Sequence, residues 1–217
     1  MGFDNREEVG VHAFMASVLA HTTVPVMFIP LHKPMLEKAT KEHYGVGTND
    51  FTVTRFLIPR LQDTGWALFC DAADMVCTSD LAELWALRDD SKSVMVVKHE
   101  YESRHPLKYL GTSMQADNSH YDRKNWASMM LINCDKPHPG NVHNMSKMDL
   151  LQLRSYLDCE IGELPKEWNW LADEYGPNPD AKLIHWTAGI PGFPHYQYAP
   201  MASEWFAAHA KANYAVN

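Results

Sequence analysis

GWALFCDAADMV, from Gly65 to Val76, decides the fold. An apolar run of strand length ends in two acidic residues, Asp71 and Asp74. DLAELWAL then starts at Asp80 and reads as a helix, with Asp80 as its N-cap and Glu83 in capping-box position. Strand, acidic turn and helix in that order belong to an α/β sheet, whose ligands sit beyond the carboxyl ends of its strands.

The segments on either side repeat the alternation. Upstream, VHAFMASVLAHT (Val11 to Thr22) is apolar at helical spacing behind Glu7 and Glu8, whose charge suits a helix start. VPVMFIPL (Val24 to Leu31) reads as a strand. FTVTRFLIPRL, from Phe51, reads as a helix capped by Asp50, with Pro59 disturbing its end. Downstream, VMVVKHEY (Val94 to Tyr101) and SMMLINCD (Ser128 to Asp135) are strand-like and MDLLQLRSYL (Met148 to Leu157) is helical. LPKEWNWL and KLIHWT are short extended pieces among Pro and Gly. Glu102 to Lys124 is polar and aromatic without periodicity, and a loop of that length in a compact domain is usually functional.

Composition limits the function classes. The chain has 217 residues, 46% hydrophobic and 21% charged, enough for one substantial core and short for two, so a single domain over residues 1–217 is expected. The net charge of −8, with Lys and Arg scattered, argues against a nucleic-acid or anionic-membrane surface. No apolar stretch approaches the roughly 20 residues of a transmembrane helix. The N-terminal residues show no basic, apolar and small-residue succession of a signal peptide. Cys70, Cys77, Cys134 and Cys159 form no CxxC pair, which fits reduced thiols in a cytoplasmic protein.

Asp71 and Asp74 emerge where a buried strand reaches the sheet edge. Two carboxylates there repel unless a cation separates them, and hard oxygen ligands suit Mg²⁺ or Mn²⁺. Their alternative role is to start the turn before the Asp80 helix. His185 ends the apolar strand KLIHW and precedes TAGIPGFP. Alone it is either a hydrogen-bonded core histidine or a ligand.

Taken in order, GFDNRE, TVTRFLIP, FCDAADMV with DLAELW, MMLIN, ELPKEWNWL and HWTAGIPGF resemble the glycogenin and lipopolysaccharide galactosyltransferase group of retaining glycosyltransferases. The likeness runs from about Gly2 to Trp205 and looks nearest to small prokaryotic or phage members. It implies a GT-A fold, an α/β, Rossmann-like nucleotide-diphospho-sugar transferase domain with a mixed central sheet flanked by helices. It also implies a nucleotide-sugar donor, UDP-linked by preference, a carbohydrate or other hydroxyl-bearing acceptor, and Mn²⁺ or Mg²⁺. Two departures stand out: Asp-Ala-Ala-Asp is one residue longer than Asp-x-Asp, so its carboxylates share a cation only if the turn bulges, and no lysine follows the His-x-x-Gly loop.

The resemblance implies roles for individual residues. Asp74 and His185 would bind metal, with Asp71 as a further ligand or a ribose contact. Arg55 would face the diphosphate and take part in catalysis, or else make a surface salt bridge. Asp4, beside Phe3 and Arg6, would meet the base or ribose, or cap the first helix. Gly189 would admit the phosphates or serve only as a turn residue. Asp158, with Glu160 nearby, is the acidic candidate for the catalytic face, against a plain solvated helix end. Lys98, His99, Tyr101, Arg123, Lys124, Asn125 and Trp126 flank the long loop and suit an acceptor, while Trp168 and Trp170 suit the core. Two other activities use similar parts: a sugar-phosphate nucleotidyltransferase, which would want a Gly-rich basic loop absent from GFDNREEVG, and a binding protein that has lost turnover.

Overall fold

The computed structural model describes residues 1–45 and 47–213. β1 (Gly2–Phe3) turns into α1 (Glu8–His21), and β2 (Leu31–His32) returns parallel to β1. α2 (Lys33–Thr40), α3 (Phe51–Thr54) and α4 (Ile58–Leu61) precede β3 (Trp66–Cys70), β4 (Met75–Cys77) and α5 (Leu81–Trp85). Then come β5 (Val94–Val96), β6 (Leu107–Lys108), β7 (Ala116–Asp117), β8 (Met129–Asn133) and α6 (Lys147–Leu151). β9 (Ile161–Glu163), β10 (Trp170–Leu171), α7 (Ala172–Tyr175), β11 (Leu183–His185) and α8 (Ala202–Asn213) complete the order.

The main sheet runs β3-β8-β5-β9 and is mixed: β8 is antiparallel to β3 and β5, and β9 is parallel to β5. Its strands alternate between two buried faces. Phe69, Val94, Val96, Met130 and Ile132 face a core with Phe51, Leu57 and Leu150. Cys70, Met95, Met129 and Leu131 face the opposite core with Phe14, Val18 and Trp168. Burial on both faces explains why these strands read as unbroken apolar runs. A smaller sheet, β10-β11-β4, carries β11 between a parallel and an antiparallel neighbour. Behind it, Ala13, Val76, Trp186, Trp205 and Ala208 form a third cluster that joins α1 to α8. This is the expected α/β architecture, with mixed sheets flanked by helices.

Several expected elements are built differently. Of VPVMFIPL only Leu31 enters a ladder; Pro25 and Pro30 lack the amide hydrogens a strand needs, and the rest is irregular. The 51–61 helix is split by a 3-10 turn at Arg55–Leu57. Asp50 does not cap it: its own backbone is helical, and its amide donates to Asp4 Oδ2 at 3.0 Å. Asp80 does cap α5, accepting from the Ala82 amide, but Glu83 pairs with Lys182 and closes no capping box. The 148–157 helix stops at Leu151 and is followed by turns through Leu153, whose φ is 51°. Trp168 is buried as expected and Trp170 only partly so. The long loop contains the antiparallel pair β6 and β7.

Candidate functional site

β3 delivers Asp71 and β11 delivers His185, and the turn between β3 and β4 brings Asp74 to meet them. The extra residue of Asp-Ala-Ala-Asp is taken up at Ala72, whose φ of 63° is left-handed, with the Ala73 amide donating to the Asp71 carbonyl at 2.7 Å. The turn does bulge. Ala72 and Ala73 are fully buried, and Gly10 of α1 lies so close that a Cβ there would stand 1.8 Å from the Ala73 carbonyl oxygen. The helix backbone therefore holds the acidic turn in shape.

Asp71, Asp74 and His185 are all buried, and each can bring one ligating atom within 4.8 Å of the others. His185 Nε2 lies 3.4 Å from Asp74 Oδ2. Asp71 Oδ1 and Asp74 Oδ1 are buried without hydrogen bonds. Arg55 Nη1 donates to the Ala127 carbonyl at 2.7 Å and forms an ion pair with Asp71 Oδ1 at 2.9 Å, outside hydrogen-bond geometry. Asp74 Oδ1 without a hydrogen bond and Asp71 Oδ1 with only an ionic partner, beside an imidazole nitrogen, are what a hard divalent cation would satisfy.

The imidazole is held in the matching tautomer. Asn169 Nδ2 donates to Ser128 Oγ at 2.9 Å, and Ser128 Oγ donates onward to the Asn125 carbonyl at 2.7 Å. Asn169 Oδ1 is therefore the atom 2.9 Å from His185 Nδ1, which must donate to it. In the neutral ring Nε2 then carries the lone pair and faces the carboxylates. Asn169 lies in the EWNWL segment, and sequence reasoning misses its role because nothing in the chain's pattern pairs it with His185.

Burial pushes Asp71 up to about 6, with Asp74 adding to the rise and Arg55 opposing it. Burial disfavours a charged His185, yet Asp74, with Asp71 and Asp173, together outweigh it and raise the imidazole above its ordinary value. Glu7, at the start of α1, is wholly buried with neither oxygen hydrogen-bonded. Burial, with Asp74, Asp4 and Asp71 behind it, drives its carboxyl well above the usual range.

Asp71, Asp74 and His185 open onto a pocket of about 240 Å³, lined also by Asn49, Thr52, Arg55, Lys108, Tyr121, Asn125 and Lys147. Arg55 makes no surface salt bridge. It is buried, donates through Nε to the Phe51 carbonyl, and stacks on Phe51 and Phe69. Asp4 is buried beside Arg6: Oδ1 accepts from the Arg6 amide and Nε, both at 2.9 Å, and Oδ2 accepts from Arg6 Nη2 and the Asp50 amide. Burial alone would raise Asp4, but the Arg6 hydrogen bonds hold its carboxyl below the usual range. Phe3 meets His32 edge-on at 5.4 Å. At Gly189 a Cβ would lie 2.5 Å from the Tyr196 ring, so packing of the loop on itself requires the glycine there. Asp158 lies apart from the pocket: its exposed carboxylate pairs with Arg123.

Two adjacent carboxylates of α7 hold the walls. Asp173 accepts from the Ala188 amide at 2.6 Å, fixing the loop after His185, and Glu174 accepts from the Arg104 amide and Ser103 Oγ, fixing the start of the long loop. Tyr121 also lines a second pocket with His99, Glu100, Tyr101, Glu102, Arg123, Lys124 and Trp126. Its basic groups are engaged. Lys124 Nζ is bound by Asn118 and Ser119 oxygens, and Arg123 pairs with Asp158.

No protein-family profile matches the chain. Among solved structures, a galactosyltransferase LgtC crystallised with donor and acceptor sugar analogues matches with a TM-score of 0.64 over 100% of this chain and 96% of that one, at 13% identity. The glycosyltransferase GlyE of Streptococcus pneumoniae TIGR4 matches at a TM-score of 0.59 and 14% identity, and this chain covers only 58% of its length. The bifunctional WbbM glycosyltransferase matches at 0.58 and 15% identity, over 96% of this chain and 48% of that one. These likenesses establish the GT-A fold. Among curated sequences, Protein CDI of Arabidopsis thaliana is 32% identical over 219 aligned residues, covering 94% of this chain and 83% of its own. The chain thus has the fold of the GT-A glycosyltransferases and belongs to the family of Protein CDI.

Proposed function

We propose that this protein is a metal-dependent glycosyltransferase that moves a sugar from a UDP-sugar to an acceptor hydroxyl with retention of configuration. The observation that carries the reading is the buried cluster of Asp71, Asp74 and His185, with carboxylate oxygens that accept no hydrogen bond and an imidazole nitrogen at one end of the pocket. The three would hold Mn²⁺ or Mg²⁺, which supplies Lewis-acid stabilisation to the departing diphosphate. Arg55 orients Asp71 at the pocket wall. Phe3, Asp4 and Arg6 frame the base and ribose end; because Asp4 already accepts from Arg6 and Asp50, it acts chiefly by aiming Arg6. Gly189 keeps the loop after His185 packed. Asp158, as the partner of Arg123, is left out of the chemistry.

In the transfer, the acceptor oxygen bonds to the anomeric carbon as the bond to the diphosphate breaks, and the acceptor proton passes to a diphosphate oxygen. The pocket beyond Tyr121 suits the acceptor. Among the described residues Glu100 and Glu102 there make no ion pair, while Arg123 and Lys124 are engaged, which favours a neutral sugar over an anionic one. The test is calorimetric titration of UDP with Mn²⁺ or EDTA, followed by UDP-sugar hydrolysis. Wild type should bind UDP at least tenfold more tightly with Mn²⁺, and Asp74→Ala should lose that gain. Equal binding in EDTA, or by the variant, would overturn the reading.

A further inference from the structure

The charge balance of the pocket leaves one cation without an assignment. Arg55 is tied to Asp71 and to the Phe51 and Ala127 carbonyls, so most of its charge is neutralised within the protein. The lysines of the pocket lining are Lys108 and Lys147. Lys147 is exposed on the first residue of α6. Lys108 is half-buried in β6 and, among the described residues, has no ion-pair partner. It nonetheless lies near enough to Asp71 to pull on its carboxylate.

The backbone around Lys108 is fixed against the loop that follows His185. The Tyr109 amide donates to the Ala188 carbonyl at 2.7 Å, and the Leu110 amide donates to Tyr196 Oη at 2.8 Å. Tyr109 is buried with φ at 54°, a left-handed conformation that costs a non-glycine residue energy and persists only where packing enforces it. The residue directly before this strained, anchored position is the lysine. A side chain carried on an anchored backbone beside the pocket needs little backbone reorganisation when an anion arrives.

We propose that Lys108 is the side-chain cation that receives the distal phosphate of a nucleoside diphosphate in this pocket, making the site selective for diphosphates over monophosphates. The inference rests on the proposed nucleotide-sugar site and goes beyond it by naming the group that recognises the second phosphate. It also accounts for a His-x-x-Gly loop without a lysine: the positive charge comes from the β6 strand docked on that loop.

The experiment is titration of UDP, UMP and inorganic pyrophosphate, each with Mn²⁺, into wild type, Lys108→Met and Lys108→Arg at matched thermal stability. Removing one charge-assisted hydrogen bond should weaken UDP and pyrophosphate about tenfold or more in Lys108→Met and leave UMP within about twofold. Lys108→Arg should recover most of the loss. Wild type that binds neither UDP nor pyrophosphate would overturn the nucleotide-sugar reading together with this proposal. If wild type binds UDP and Lys108→Met binds it equally, or loses UDP and UMP in equal measure, the role of Lys108 is refuted and the site reading stands.

Discussion

Replacing Asn169 by Leu keeps side-chain volume but removes the one acceptor that fixes the His185 tautomer. In the native protein Asn169 is fully buried, with Oδ1 2.9 Å from His185 Nδ1 and Nδ2 2.9 Å from Ser128 Oγ. The leucine leaves a buried ring N–H without a partner, a cost of about 1–3 kcal/mol in unfolding free energy. It also lets the imidazole present either nitrogen to the acids. Loss of an outer partner to a metal-binding histidine weakens metal about tenfold to a hundredfold. Asn169→Asp keeps the acceptor, with the Ser128 hydroxyl turning to donate to it, so Mn²⁺ affinity should stay within about threefold of wild type or exceed it. Mn²⁺ titration and urea unfolding of the three proteins give both quantities. Destabilised Asn169→Leu with unchanged Mn²⁺ affinity would refute the argument, because the asparagine would then be core packing with no hold on the ligand.

Two further outcomes follow from strain and burial. At Ala72, relief of a left-handed φ by glycine offsets the lost burial of a methyl group, so Ala72→Gly should stay within about 1 kcal/mol of wild type in urea unfolding, whereas Ala72→Val should lose about 2 kcal/mol or more and bind Mn²⁺ poorly. Burial pulls His99 down from 6.5 to about 3. A depressed folded value means the unfolded chain takes up the proton first, so this stability is whole above pH 6.5 and is lost as pH falls toward 3, on the order of 5 kcal/mol in all. His99→Phe should flatten that slope in unfolding curves at pH 7, 5.5 and 4; an identical slope in both proteins would mean that another group sets it.

The sequence is legible where one element carries its own signal. An unbroken apolar run before Asp71 and Asp74 announces a strand ending in an acidic turn, and β3 does end there, with Asp71, Asp74 and His185 brought together. Arg55 is legible as a cation of the site but not as a buried one, since its partners Ala127 and Asp71 lie far along the chain. β6 and β7 are hidden because two-residue strands have no periodicity to read. VPVMFIPL misleads in the opposite way: its composition favours a strand, but two prolines leave the ladder short of donors. Glu7 looks like a helix-start charge, and only three dimensions reveal a buried, unpartnered acid behind the cluster.

The neighbouring carboxylates of α7 have a consequence for how this protein can change. Asp173 and Glu174 point to loops that are distant in sequence, one after His185 and one before β6, so a single dipeptide sets the spacing of both walls. Insertion or deletion of one residue upstream in α7 would rotate both carboxylates off their amides at once, since successive helical residues are turned by a fixed angle. Transplanting either loop into a relative should therefore fail unless the four residues Ala172–Tyr175 travel with it. Drift in those loops is free only as far as this clasp allows.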